Sequence, residues 1–166
     1  KLKGKFNTGS QEHFYLEGQV CLVIPQEDNN LTVYSSTQHP SETQQIIAKM
    51  LKQKSNSITV MVRRIGGGFG GKETNFMTAA ICALLSHKTS RPIKLRLDRD
   101  DDIIITGKRH DFYSEYEVGF NDHGKIEGLK FKLASRCGMS PDLSYAINER
   151  ALLHLDNAYY LSDIEV

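Results

Sequence analysis

The sequence predicts an α+β fold in which helices pack on a mixed sheet. Three observations lead there. Gln19–Ile24 is a short apolar-rich run with Leu31–Ser35 as its partner, and Phe112–Phe120 alternates apolar and polar residues, the period of a half-buried strand. The segments from Pro40 and from Glu73 carry apolar residues at helical spacing. Between the apolar, β-branched stretch Ile58–Val62 and the second of these helical segments lies a dense glycine turn.

Taken in order, Gln19–Ile24 and Leu31–Ser35 flank the turn residues Asp28-Asn29-Asn30 and predict a hairpin. Pro40 suits a first helical position, and Ile46, Ile47, Met50 and Leu51 follow at helical spacing. Ser55-Asn56-Ser57 ends that pattern, and Ile58–Arg64 reads as the next strand. A helix over Glu73–His87 is expected to bury Phe76, Ala80, Ala83, Leu84 and His87. Pro92–Leu97 then reads as a strand, so the unit suggests a parallel crossover. Asp98 is a candidate cap for a short helix, with Asp100, Asp101 and Asp102 complementing its N-terminus. A calcium loop would require glycine where Ile103 stands. Phe112–Phe120 and Ile126–Leu133 flank Asn121-Asp122-His123-Gly124 as a second hairpin. Leu143–His154 predicts a last helix, capped by Asp142.

Composition narrows the function. The chain has 166 residues, enough for one compact domain or two small layers. Charged residues make up 25% and the net charge is +1, so no overall field selects nucleic acid or an acidic membrane surface. No apolar stretch is long enough for a membrane span, and no signal-peptide pattern opens the chain. Cys21, Cys82 and Cys137 are widely spaced and read as buried, reduced thiols of a cytoplasmic protein. The six histidines are dispersed without zinc spacing and read as structural. Phe14 and Tyr15 read as core aromatics, or as the lining of a pocket. The chain begins at Lys1 and ends mid-pattern at Val166, which reads as a piece of a longer protein.

Gly66-Gly67-Gly68-Phe69-Gly70-Gly71-Lys72-Glu73 holds five glycines in eight residues. Such a turn brings main chain close to a neighbour, and at a helix N-terminus it suits an anion or an oxo group. Gly66, Gly68 and Gly71 meet the dinucleotide spacing, but Ser90 and Arg91 stand where an acidic residue belongs, about 20 residues on. Gly66, Gly71 and Lys72 meet a P-loop as far as its last position, where Glu73 replaces the Ser or Thr that holds Mg²⁺. A nucleotide- or phosphate-binding module, and a non-catalytic assembly domain, remain as alternatives.

Gly66–Thr74, read as GGGFGGKET, resembles the loop beside the metal in the molybdenum hydroxylases, the xanthine dehydrogenase and aldehyde oxidase family. Ser10–Glu17 is similar to that family's glutamine-bearing segment and Ser36-Thr37-Gln38 to its next strand end. Leu97–Asp102, Thr106–His110, Val118–Phe120, Asp142–Ser144 and Glu149–Ala151 match in the same order. The likeness is strongest to the molybdenum-binding subunit of bacterial xanthine dehydrogenases.

The resemblance implies that residues 1–166 are a single piece of the molybdenum-cofactor-binding domain of a larger subunit. It implies that the Gln11 amide lies next to an oxo ligand of molybdenum, without ligating the metal. The backbone of Phe69 and Gly70 would lie beside the same centre. Glu73 would face the substrate, where a carboxyl suits the purine branch and aldehyde-oxidising relatives carry an apolar residue. The cofactor implied is molybdenum–molybdopterin, with iron–sulfur clusters and FAD elsewhere in the parent enzyme. The partners implied are a purine, hypoxanthine or xanthine, the remaining molybdenum-domain segments, and iron–sulfur and flavin domains or subunits. The catalytic glutamate, the substrate arginine and most pterin contacts belong to later family segments, so this piece alone is expected to be inactive.

Overall fold

The computed structural model describes residues 1–166. Eight strands and four α-helices follow in order: β1 (Leu2–Thr8), β2 (Val20–Pro25), β3 (Leu31–Ser35), α1 (Pro40–Leu51), β4 (Ile58–Met61), α2 (Met77–Thr89), β5 (Ile93–Arg96), α3 (Arg99–Ile105), β6 (Phe112–Phe120), β7 (Ile126–Ser135), α4 (Ser144–Leu153) and β8 (Ile164–Glu165). The architecture is α+β, with two four-stranded mixed sheets rather than one. The chain divides into two compact units, residues 12–108 and residues 1–11 with 109–166.

In residues 12–108 the strand order is β4-β3-β2-β5. The β2–β3 hairpin is antiparallel, with Val23 opposite Val33, as the sequence pattern predicts. Inward residues at every second position build the core: Cys21 and Val23 from β2, Leu31 and Val33 from β3, and Ile58 from β4. Ile47 and Ala48 of α1 and Ala79, Cys82 and Ala83 of α2 complete it. Helix α1 has Pro at its start, and Lys52 in the left-handed conformation ends it. Strand β4 is parallel to β3, whereas β2 is antiparallel to both β3 and β5. Strands β4 and β5 therefore run in the same direction at opposite edges, and α2 makes the expected crossover.

Four expectations need correction here. Helix α2 begins at Met77, not Glu73. Its buried face is Thr78, Ala79, Cys82, Ala83 and Ser86, so Leu84 and His87 are exposed. The reason is close packing, because small side chains let the helix approach the sheet while larger apolar residues take the other side. Tyr15 is buried as a core aromatic, but Phe14 is 72% exposed. Cys21 and Cys82 are buried free thiols, with Cys82 Sγ 3.7 Å from the Cys21 carbonyl oxygen, whereas Cys137 is exposed.

The other unit has strand order β1-β6-β7-β8. The β6–β7 hairpin carries a bulge at Gly119 and Phe120. Strand β1 pairs antiparallel with β6, which the lysine-rich start of the chain does not reveal. Lys3 pairs with Glu117 at 2.6 Å and Lys5 with Glu115 at 2.8 Å across that seam. Helix α4 begins one residue later than expected, with Leu143 rather than Asp142 at its cap position.

Ile47 has no exposed surface and sits where α1 meets the sheet. Ile47→Ala removes buried methylenes that neighbours only partly replace, so it should cost about 2–5 kcal/mol. A urea titration of the chain reads this as a lower midpoint. An unchanged midpoint contradicts a core centred there.

Candidate functional site

The glycine loop leaves β4 through Ile65 and turns on left-handed backbone. Gly66, Gly67, Phe69 and Gly70 have φ of 60, 92, 54 and 93°. For Phe69 that region costs roughly 1–2 kcal/mol, so the surrounding bonds must hold the turn. One of them runs from the Gly71 amide to the Gly68 carbonyl at 2.8 Å. Gly71 is also required by space, since a Cβ there would lie 2.7 Å from Tyr15 Cε1 and 2.8 Å from His13 Cγ.

Beneath the loop lies a buried polar network. Asp102 is 1% exposed and accepts from the Tyr15 hydroxyl at 2.7 Å and from the Gln19 amide at 2.9 Å. The Gln19 side-chain nitrogen donates to Tyr15 Oη at 3.1 Å and to the Gly71 carbonyl at 3.0 Å. Burial, together with the hydrogen bond to Asp102, pushes the Tyr15 hydroxyl above its ordinary value. Lys72 is 1% exposed, donates to the Ile65 carbonyl and lies 4.7 Å from the centre of the Tyr15 ring. A P-loop lysine reaches a phosphate, whereas this one is spent inside the chain.

The upper side of the loop is different. The Phe69 amide has no hydrogen-bond partner within the chain, and its ring is 63% exposed. Glu73 is half-buried, and no hydrogen bond or ion pair engages its carboxylate. The Gly70 amide, by contrast, already donates to Gln38 Oε1 at 3.1 Å. Because α2 starts only at Met77, the helix dipole does not open directly onto the glycines.

Phe69, Gly70 and Glu73 thus share one loop in residues 12–108. Gln11 lies in the other unit, where it bridges to Arg109: the Arg109 amide donates to its carbonyl at 3.0 Å. Its side chain is exposed. Sequence reading missed Gln19 and Asp102. The sequence pattern groups Asp102 with the acids at the α3 N-terminus, but Asp98 alone caps it, accepting from the Asp101 amide at 2.9 Å. The signal that separates Asp102 is its place on the inward side of α3.

Burial pushes Lys72 below the ordinary lysine value of 10.5, Glu17 and Asp102 oppose the shift, and Arg99 adds to it. Between the lowered value and 10.5 the unfolded chain holds more protons, so stability rises with pH across that window. Below the lowered value the cost of the buried charge is fully present. Lys72→Met removes this dependence. Melts of both proteins at rising pH should show the wild type gaining on the variant as pH approaches 10.5. A pH-independent difference contradicts a strained ammonium.

The model of the molybdopterin cofactor-binding domain family matches residues 1–166. The chain is 45% identical over 167 residues to the xanthine dehydrogenase/oxidase of Gallus gallus, covering 99% of this chain and 12% of that protein. It is 42% identical over 166 residues to the xanthine dehydrogenase of Dictyostelium discoideum, with the same coverage of 99% and 12%. Among solved structures, the aldehyde oxidoreductase from Desulfovibrio gigas superposes with a TM-score of 0.89 at 20% identity, over 98% of this chain and 18% of that one. The quinoline 2-oxidoreductase from Pseudomonas putida 86 superposes at 0.72 and 22% identity, over 80% of this chain and 17% of that one. These structures share the fold, and the chain spans about 12% of the length of the curated relatives it matches. By match over its whole length, the chain belongs to the molybdopterin cofactor-binding domain family of the molybdenum hydroxylases.

Proposed function

We propose that residues 1–166 form one piece of the molybdenum-cofactor-binding domain of a larger enzyme, and that this enzyme hydroxylates a purine such as hypoxanthine or xanthine. The observation that carries this reading is the loop itself: an unpartnered Phe69 amide and an unpartnered Glu73 carboxylate stand on one glycine turn braced from below. The residues fit an oxo-bearing metal–pterin group. Space beside Gly70 is open, since a Cβ there would meet only His13 Nε2, at 3.9 Å. An open N–H in a rigid turn stabilises oxygen charge without reorganising.

When bound, the molybdenum–pterin group supplies a two-electron oxidation that uses oxygen from water. The chain's own residues bind and orient. Phe69 would donate its amide to the cofactor, with the Gly70 backbone holding the turn beside it. The resemblance of its segment Ser10–Glu17 assigns Gln11 as a carboxamide donor to an oxo ligand of molybdenum. Glu73 would hydrogen-bond the edge of the purine, which carries both donors and acceptors. The two electrons would leave through iron–sulfur and FAD centres in other domains or subunits. No helix here is long and apolar enough to cross a membrane, and the free thiols of Cys21 and Cys82 suit the cytoplasm.

The test is made on the parent enzyme. Glu73→Gln keeps the size but exchanges an acceptor for a donor. A lost hydrogen bond to a charged group costs roughly 1.5–3 kcal/mol, or about ten- to a hundredfold in kcat/KM. Glu73→Val should cost purine oxidation at least as much and a simple aldehyde less. The measurement is the hypoxanthine-to-aldehyde efficiency ratio at equal molybdenum content, with the 166-residue chain alone as an inactive control. An unchanged ratio removes the purine assignment.

A further inference from the structure

We propose that Gln38 is a positioning residue of the glycine loop: its side-chain carbonyl clamps two loop amides and leaves that of Phe69 as the open donor. The inference rests on the cofactor reading above and names what sets its geometry. Gln38 Oε1 accepts from the Gly70 amide at 3.1 Å and from the Lys72 amide at 3.2 Å. The Gln38 backbone amide in turn donates to the Lys72 carbonyl at 2.8 Å. Two N–H donors converging on one atom fix that atom as oxygen rather than nitrogen.

The clamp is anchored to the sheet. The Ser36 hydroxyl accepts from the Val20 amide at 3.1 Å, and the Ser36 amide donates to the Val20 carbonyl at 3.0 Å. The Thr37 hydroxyl donates to the Lys72 carbonyl at 3.3 Å and accepts from the His39 amide at 3.0 Å. The end of β3 therefore cannot shift without moving the loop. Gly68 completes the fit, because a Cβ there would lie 2.4 Å from Gln38 Oε1. Gln38 itself is exposed, so a packing role in the core does not explain these contacts.

The chemistry follows from which amides are taken. With Gly70 and Lys72 tied to Gln38, the turn is closed on both sides of the Gly71–Gly68 bond and Phe69 keeps its left-handed conformation. Its N–H then meets an anionic or oxo-bearing group in a fixed direction. Without the clamp, the Gly70 amide is released, competes for the same acceptor, and the turn relaxes.

The test uses the full-length parent enzyme with Gln38→Leu, which removes the acceptor, and Gln38→Glu, which keeps one at similar reach. The Gln38 side chain is exposed, so neither change opens a cavity. Hydrogen exchange of peptides spanning residues 66–74 should be about tenfold faster or more in the Leu variant, the effect of losing two ordinary hydrogen bonds. The Glu variant should exchange as the wild type does. The Mo(V) spin-resonance signal should shift in the Leu variant and return in the Glu variant. Wild-type exchange in the Leu variant, or a Glu variant as disturbed as the Leu variant, overturns the clamp. Faster exchange with an unshifted signal overturns its link to the cofactor. A wild-type parent without molybdenum overturns the cofactor reading, while the exchange data still decide the clamp.

Discussion

Asp102 is a buried carboxylate with two fixed donors, and the loop-bearing unit is organised around it. Its oxygens accept from the Tyr15 hydroxyl and the Gln19 amide, and its own backbone lies in α3. A buried carboxylate is costly unless hydrogen bonds and charges compensate it. Here the compensation also joins three parts of the chain: the segment entering β2, helix α3, and through Gln19 the carbonyl of Gly71. Tyr15 passes the constraint to Lys72 through its ring face. The loop is thus braced from below by groups that never reach a ligand.

That bracing explains a division of labour within eight residues. Lys72 and the carbonyl of Gly71 turn inward and are satisfied. Phe69 and Glu73 keep polar groups without partners in the chain. A phosphate loop uses the same glycine density with its lysine outward, so the composition of the stretch does not settle its chemistry. Burial of the lysine speaks against a phosphate loop, since an ammonium bonded to Ile65 has no free geometry for a triphosphate.

Much of the fold was legible from periodicity. Strands β3 and β6 fall on their expected residues; in β3 every second side chain is buried, whereas β6 keeps the strand period with its side chains only partly buried. Helix α1 was equally clear from its Pro and its apolar spacing. Strand β1 was not, because its alternation rests on Leu2 and Phe6 alone, both exposed, and its lysines pair with Glu115 and Glu117 of a strand distant in sequence. The buried face of α2 was misjudged for a related reason: Thr78, Cys82 and Ser86 do not announce themselves as core. At the site, the glycine loop was plain, and its family likeness named Phe69, Gly70 and Glu73. The supports were hidden. Gln19, Gln38 and Asp102 act through tertiary hydrogen bonds spanning many residues, and no local spacing encodes such pairings.

The measurement that bears most directly on this account is the molybdenum content of the parent enzyme carrying Asp102→Asn. An amide at that place offers one acceptor and one donor where two donors arrive, so the Tyr15 hydroxyl and the Gln19 amide can no longer both donate to it. The account predicts a protein with unchanged far-ultraviolet circular dichroism and lowered molybdenum occupancy, because the brace beneath the loop is gone. Full occupancy in that variant would contradict it.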